Sequence, residues 1–249
     1  MEIGGIGFKH VMAFQLKCMM ANQYSTLATA FNKKDDNLVL IACLRLGWND
    51  AFRHVSENIA EINKMNALQK ENLIIDVCRN CLDTFKEYAK KTSTDERTQY
   101  LKNRICNGFL SEFSKVKKLT NTAKALCFGH IQKMFNIAIK LLVCLKITAE
   151  HLDTYKICVE LCKIDGKSVY FDKKVIDKAT VGFSLDTADC PVDSIILNKV
   201  GVTNVIWSKI GQDNNHPTKD YLDAQAEIKK SQGNNQKSNL CYDFENWNL

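Results

Sequence analysis

The chain has 249 residues, of which 45% are hydrophobic and 25% charged, with a formal net charge of +6. That apolar fraction with so modest a charge excludes a disordered chain, and 11 Gly and 2 Pro exclude a collagen-like or linker-rich one. A chain of this length buries roughly 70–75% of its unfolded surface, so it needs neither a disulfide nor a metal to fold.

The first two thirds read as consecutive helices. Apolar residues from Phe8 through Met12, Leu16, Met19, Leu27 and Phe31 keep helical spacing, and residues 33–37 break it. Ile41, Leu44, Trp48, Val55, Ile59 and Ile62 form a second stripe, and Ile74, Cys78, Cys81, Phe85 and Tyr88 a third. After a polar break, with Thr94 or Asp95 as N-cap, Leu101, Ile105, Phe109 and Phe113 mark a fourth helix. A fifth spans about residues 122–147. Cys127, Ile131, Met134, Ala138, Leu141 and Leu145 alternate steps of four and three, while Phe128, Phe135, Ile139 and Leu142 widen the apolar face. A helix apolar around most of its circumference lies at the centre of a fold. A sixth helix is expected over residues 152–162.

The character then changes. Asp165-Gly166 is a turn, and residues 169–171 and 180–185 suit short strands or irregular wrapping. A helix start comes next, capped by Asp189 or Cys190, with Pro191 in its first turn, Asp193 favouring the N-terminal dipole and Gly201 closing the end. A short helix through Ile228, a polar stretch over residues 230–239 and a docking segment with Tyr242, Phe244, Trp247 and Leu249 complete the chain. The expected fold is mainly all-α: a multi-helix, bundle-like single domain, with a helical core over residues 1–163 and an irregular C-terminal appendage over 164–249.

No secretory signal and no membrane span is legible, since polar residues interrupt the apolar runs. Eleven cysteines, an odd number with several placed where helices bury them, fit a reducing compartment, and the cytoplasm is the expected location. Cys78-Arg79-Asn80-Cys81 has the spacing of half a zinc site, with Cys158 and Cys162 as a second half. Both pairs read as mid-helix core positions, so neither metal nor cofactor is expected. The five histidines form no recognisable arrangement with a cysteine, and the glycines of residues 3–7 read as a flexible lead.

Charge is uneven. Between Gln99 and Ile147, nine basic residues stand against Glu112 alone, a local charge of +8 that favours a polyanionic partner. Only five of the 34 basic residues are Arg, so diffuse attraction by Lys is the expected mode rather than bidentate readout. A ribonuclease of the HEPN type would pair an Arg with a His four to six residues later on one helix. Arg45, Arg53 and Arg104 stand in no such relation to a histidine, so only the general architecture is similar.

On the fifth helix, Gly129, Lys133, Asn136 and Lys140 step by four, three and four, with Gln132 adjoining. This polar seam reads either as the helix's solvent edge or as a groove. In the groove Lys133 and Lys140 neutralise a phosphate or carboxylate, Asn136 and Gln132 hydrogen-bond it, and Asp193 reaches in from the next element. The order Phe128-Gly129, Ile131-Gln132-Lys133, Asn136 and Lys140, then Cys190-Pro191-Val192-Asp193-Ser194-Ile195-Ile196-Leu197, Trp207-Ser208-Lys209 and Asp243-Phe244-Glu245-Asn246-Trp247, resembles a family of bacterial helical proteins of unknown function. The resemblance covers mainly the C-terminal half. It implies a bacterial defence or mobile-element setting and adds weight to Gln132, Lys133, Asn136, Lys140 and Asp193 as a ligand-binding site. It carries no activity with it.

The function these readings favour is binding of a polyanion, nucleic acid or a nucleotide, through the basic 99–147 segment. The alternatives are a protein-interaction or scaffold module without nucleic acid, and a metal-independent HEPN-like ribonuclease lacking the usual motif. No membrane partner is expected, and homo-oligomerisation is compatible with the sequence.

Overall fold

The structure, a computed structural model, describes residues 2–8, 10, 11, 24–52, 62, 64–106, 127–211, 218–233 and 237–246. It is mainly α-helical. In chain order the elements are α1 (Tyr24–Lys33), α2 (Asp36–Ala51), α3 (Ala67–Ala89), α4 (Thr94–Cys106), α5 (Phe128–Thr154), β1 (Glu160–Ile164), β2 (Lys167–Tyr170), α6 (Lys173–Ala179), α7 (Ser194–Lys199), α8 (Lys219–Ser231) and α9 (Asn239–Asn246). Among the described residues, no helix is long and apolar enough to cross a membrane.

Capping chemistry fixes most of the starts. Asp35 accepts from the amides of Asn37 and Leu38 and begins α2 directly after α1. Asn66 and Gln69 form a reciprocal capping box that starts α3 earlier than its apolar stripe suggests. For α4 the cap is Ser93 rather than Thr94 or Asp95. Its Oγ accepts from the Glu96 amide, and the Glu96 carboxylate takes the amides of Thr92 and Ser93.

The long helix α5 is the centre of the fold. Every residue from Phe128 to Lys140 is buried, and among the described elements α2 makes the most extensive contact with it. Gly47 permits that approach. A Cβ there would stand 2.1 Å from the Met134 carbonyl oxygen, so a side chain would push the two backbones apart. Residues 122–126, the expected start of this helix, lie outside the described residues.

Helix α5 runs on to Thr154, and the expected helix over 152–162 is not formed. Lys156 adopts φ +53, the chain turns, and Glu160–Ile164 pairs antiparallel with Lys167–Tyr170 across the Asp165-Gly166 turn. The β-branched Ile157, Val159 and Ile164 and the turn dipeptide outweigh the helical spacing of Leu152, Cys158 and Cys162. Residues 180–185 form no strand but wrap irregularly into a 3-10 turn at Leu185–Thr187.

The opening glycines are not a flexible lead. Gly4 and Gly5 take positive φ in a tight turn that buries Ile3 and Ile6, and the Gly4 carbonyl accepts the Ser238 amide at 2.9 Å. Nor is the 230–239 stretch uniformly solvated: α8 extends to Ser231, and Gln232 and Ser238 are buried. One continuous hydrophobic cluster includes Leu44, Phe85 and Phe135 of the N-terminal helices together with Val175, Leu197, Tyr221, Ile228 and Leu240. Tyr242 and Phe244 dock into it, while Trp247 and Leu249 lie outside the described residues.

Candidate functional site

The polar seam of α5 points inward. Gln132 and Asn136 are fully buried, Lys133 is 6% exposed and Lys140 3%, so the seam is not the helix's solvent edge. Each group is met by protein. Asn136 Oδ1 accepts the Tyr88 hydroxyl at 2.8 Å, and its Nδ2 donates to the Tyr221 hydroxyl at 2.9 Å and to Gln132 Oε1 at 3.1 Å. Gln132 Nε2 donates to the Gly129 carbonyl at 3.0 Å. The Tyr221 hydroxyl in turn donates to Asp189 at 3.1 Å.

Asp189 closes this chain of bonds against Arg97. Instead of capping a helix, its carboxylate receives Arg97 Nε at 2.8 Å and Nη2 at 2.9 Å, and also the Thr94 hydroxyl. The cap of α7 is Asp193, whose side chain accepts the Ile196 amide. Gly201 ends that helix at φ +76. Its amide bonds to the Asn198 carbonyl and the Val202 amide to the Leu197 carbonyl, the paired bonds of a Schellman terminus.

The two lysines of the seam have separate carboxylates. Lys133 Nζ lies 2.9 Å from Asp50 of α2 and 3.6 Å from Asp193, with the Trp207 ring 4.5 Å away. Lys140 Nζ lies 2.7 Å from Asp243 of α9 and 4.8 Å from the Phe244 ring. Burial pushes the Asp243 carboxyl above its ordinary range, and Lys140 opposes that shift. Asp193, expected to reach in from the next element, comes to Lys133 and not to Lys140. Asp50 and Asp243, far away along the chain, are partners that local spacing does not reveal.

A cysteine–histidine arrangement, not expected from the sequence, stands at the start of α5. Cys127 is the N-cap residue, and its Sγ lies 3.2 Å from His130 Nδ1 and 2.9 Å from the Ser208 carbonyl. His130 packs between Phe52 and Trp207, with ring centroids 5.4 and 5.3 Å away. Burial, aided by the charge of Lys133, lowers the His130 pKa to about 4, and burial raises that of the Cys127 thiol. The pair is therefore neutral as folded. The Cys-x-x-His spacing at a helix start was the signal available in the sequence.

Of the proposed half-sites for zinc, Cys78 and Cys81 are buried on α3 as expected. Cys158 and Cys162 are not on a helix: Cys158 is exposed ahead of β1, and Cys162 is half-buried within it. Arg45 binds Thr26 and Glu71, while Arg53 and His54 lie outside the described residues. Among the described residues, no group of three or more His, Cys, Asp or Glu is placed to hold a metal ion.

A groove of about 590 Å³ opens at the opposite end of α5. Phe31, Lys34, Tyr170, Phe171 and Lys174 line it together with the carboxylates of Asp153, Asp172 and Asp177, so its charge is mixed. Tyr155 and Tyr170 are 64% and 49% exposed here. Lys33, Lys34, Lys156, Lys163, Lys167 and Lys174 are all exposed, and none joins an ion pair among the described residues. No family model, curated protein or solved structure matches the chain.

Proposed function

We propose that the protein binds a polyanion, foremost a single-stranded nucleic acid, at the end formed by the β1–β2 hairpin and the termini of α1 and α5. The observation that carries this reading is the division of its lysines. Those of the α5 seam already have carboxylates, and Lys146 and Lys173 share Asp177. In the Lys140–Asp243 pair, where both side chains are buried, displacing the partner strands a charge at a cost of about 3–5 kcal/mol, which a loosely held phosphate does not offset. The six hairpin-end lysines have no such commitment among the described residues, and two exposed tyrosines stand among them. Lysines following a backbone, with aromatic faces for bases to stack on, are the usual means of holding a single strand without sequence readout. The basic 99–147 segment adds long-range attraction. Lys115, Lys117, Lys118 and Lys124 belong to it and lie outside the described residues.

The test is fluorescence anisotropy with a labelled single-stranded oligonucleotide at low salt. The expected result is binding that Tyr170→Ala weakens by about 1–3 kcal/mol, the usual loss of one stacking platform. Binding indifferent to Tyr170→Ala and to Lys163→Glu would end this reading. A second reading, a protein-interaction module, is favoured by Ile157 and Val159, which are 49% and 38% exposed beside the tyrosines. Apolar side chains there serve a protein partner better than a phosphate backbone, and that partner's affinity would vary little with salt.

A further inference from the structure

Cys127 and His130 lie beneath a short strap, the 3-10 turn Trp207–Lys209 together with Ile210. Three of its carbonyls are directed at the first turn of α5. Ser208 O accepts the Cys127 thiol at 2.9 Å, and Ile210 O accepts the Gly129 amide at 2.9 Å. Trp207 O comes so near Gly129 that a Cβ there would stand 2.0 Å from it. The strap's carbonyls thus occupy the place where the N-terminus of a 27-residue helix would otherwise favour negative charge. A carbonyl that accepts the S–H bond also holds the sulfur as a neutral thiol. His130, itself nearly fully buried, presents Nδ1 to the sulfur, and its Nε2 makes no hydrogen bond among the described residues.

We propose that Cys127 and His130 are a latent nucleophile–base pair, a modification site for soft electrophiles that opens when the 207–210 strap lifts from Gly129. Lifting removes the Ser208 carbonyl from the thiol and frees the Gly129 amide, so the helix terminus then favours a thiolate. In the reaction the thiol proton passes to His130 and on to solvent. The sulfur–carbon bond forms as the bond to the leaving group breaks, and the leaving group departs with the bonding pair. No oxidant or reductant is needed. The pair does not depend on the proposed nucleic-acid contacts, which lie at the other end of α5.

The experiment is alkylation of the native full chain by iodoacetamide at pH 7.5, with each cysteine followed by peptide mass spectrometry. Exposed Cys158 reports free reactivity, and Cys43, buried on α2, reports global unfolding. Cys127 is expected to react at least tenfold faster than Cys43 and more slowly than Cys158. His130→Gln should slow Cys127 at least fivefold while leaving Cys43 unchanged, and Gly129→Ala should speed it at least tenfold. If Gly129→Ala disrupts the fold, Cys43 will accelerate too, and the wild-type and His130→Gln comparison decides. Cys127 reacting only at the rate of Cys43, or a rate unchanged by His130→Gln, would overturn the proposal.

Discussion

Arg97 of α4 grips Asp189 through two parallel hydrogen bonds, 2.8 and 2.9 Å long, with both side chains 1% exposed. Two charges this deep are tolerable because both are saturated. Arg97 also donates to the Lys91 and Thr187 carbonyls, and Asp189 also accepts from Thr94 and Tyr221. Arg97→Met or Asp189→Leu alone should each lower stability by about 3–5 kcal/mol, because the remaining charge is stranded. The double replacement should cost clearly less than the sum of the two. Urea unfolding of the three variants checks this.

Asn136 joins α3, α5 and α8 through Tyr88 and Tyr221. Asn136→Ala should destabilise by about 1–3 kcal/mol for each buried group it leaves unbonded. Asn136→Asp should be worse than Ala, since it buries a second carboxylate close to the Tyr221–Asp189 link. Thermal unfolding that left Asn136→Ala at wild-type stability would show the network to be dispensable.

Acid should weaken the fold through His130. Its folded pKa, about 4, lies below the ordinary 6.5, so the folded state binds fewer protons than the unfolded state between those values. The stability it contributes is fully present above pH 6.5 and is lost as pH falls towards 4, in total about 3 kcal/mol. His130→Gln should flatten that part of the stability profile. Denaturant midpoints from pH 7 to pH 4 measure it, and an unchanged slope would count against burial as the cause.

Gly47→Ala should separate α2 from α5. The added Cβ meets main chain, the Met134 carbonyl at 2.1 Å, and main chain cannot rotate aside as a side chain would. Overpacking of this kind costs about 1–3 kcal/mol or more. The expected result is a fall in Tm of several degrees with the helical circular-dichroism spectrum retained.

Much of the helical frame is legible in the sequence, because the stripes of α2, α3 and α5 carry their own periodicity. The seam is where local pattern ceases to decide. Gln132, Lys133, Asn136 and Lys140 have the same spacing whether they face water, a ligand or protein. Their fate is set by Asp50, Tyr88, Asp193, Tyr221 and Asp243, which only the tertiary fold brings near. The 152–162 segment misleads for the opposite reason: its helical spacing is real, but Lys156 leaves the helix and the Asp165-Gly166 turn pairs residues 160–164 with 167–170 in a hairpin. Cys127 and His130 stand in view as Cys-x-x-His, yet their meaning depends on the helix starting at Phe128 and on the strap that covers it.

In the proposed function, a polyanion is held by the exposed lysines of the hairpin end and not by the seam lysines of α5, which are paired with carboxylates. The decisive experiment is a salt titration of oligonucleotide affinity for wild type and for Lys163→Glu/Lys167→Glu. Wild-type affinity should fall steeply as salt rises. The log–log slope of the variant should be shallower by about 1.4, two phosphate contacts at roughly 0.7 each on a single strand. Wild-type binding insensitive to salt, or a variant with an undiminished slope, would refute the assignment.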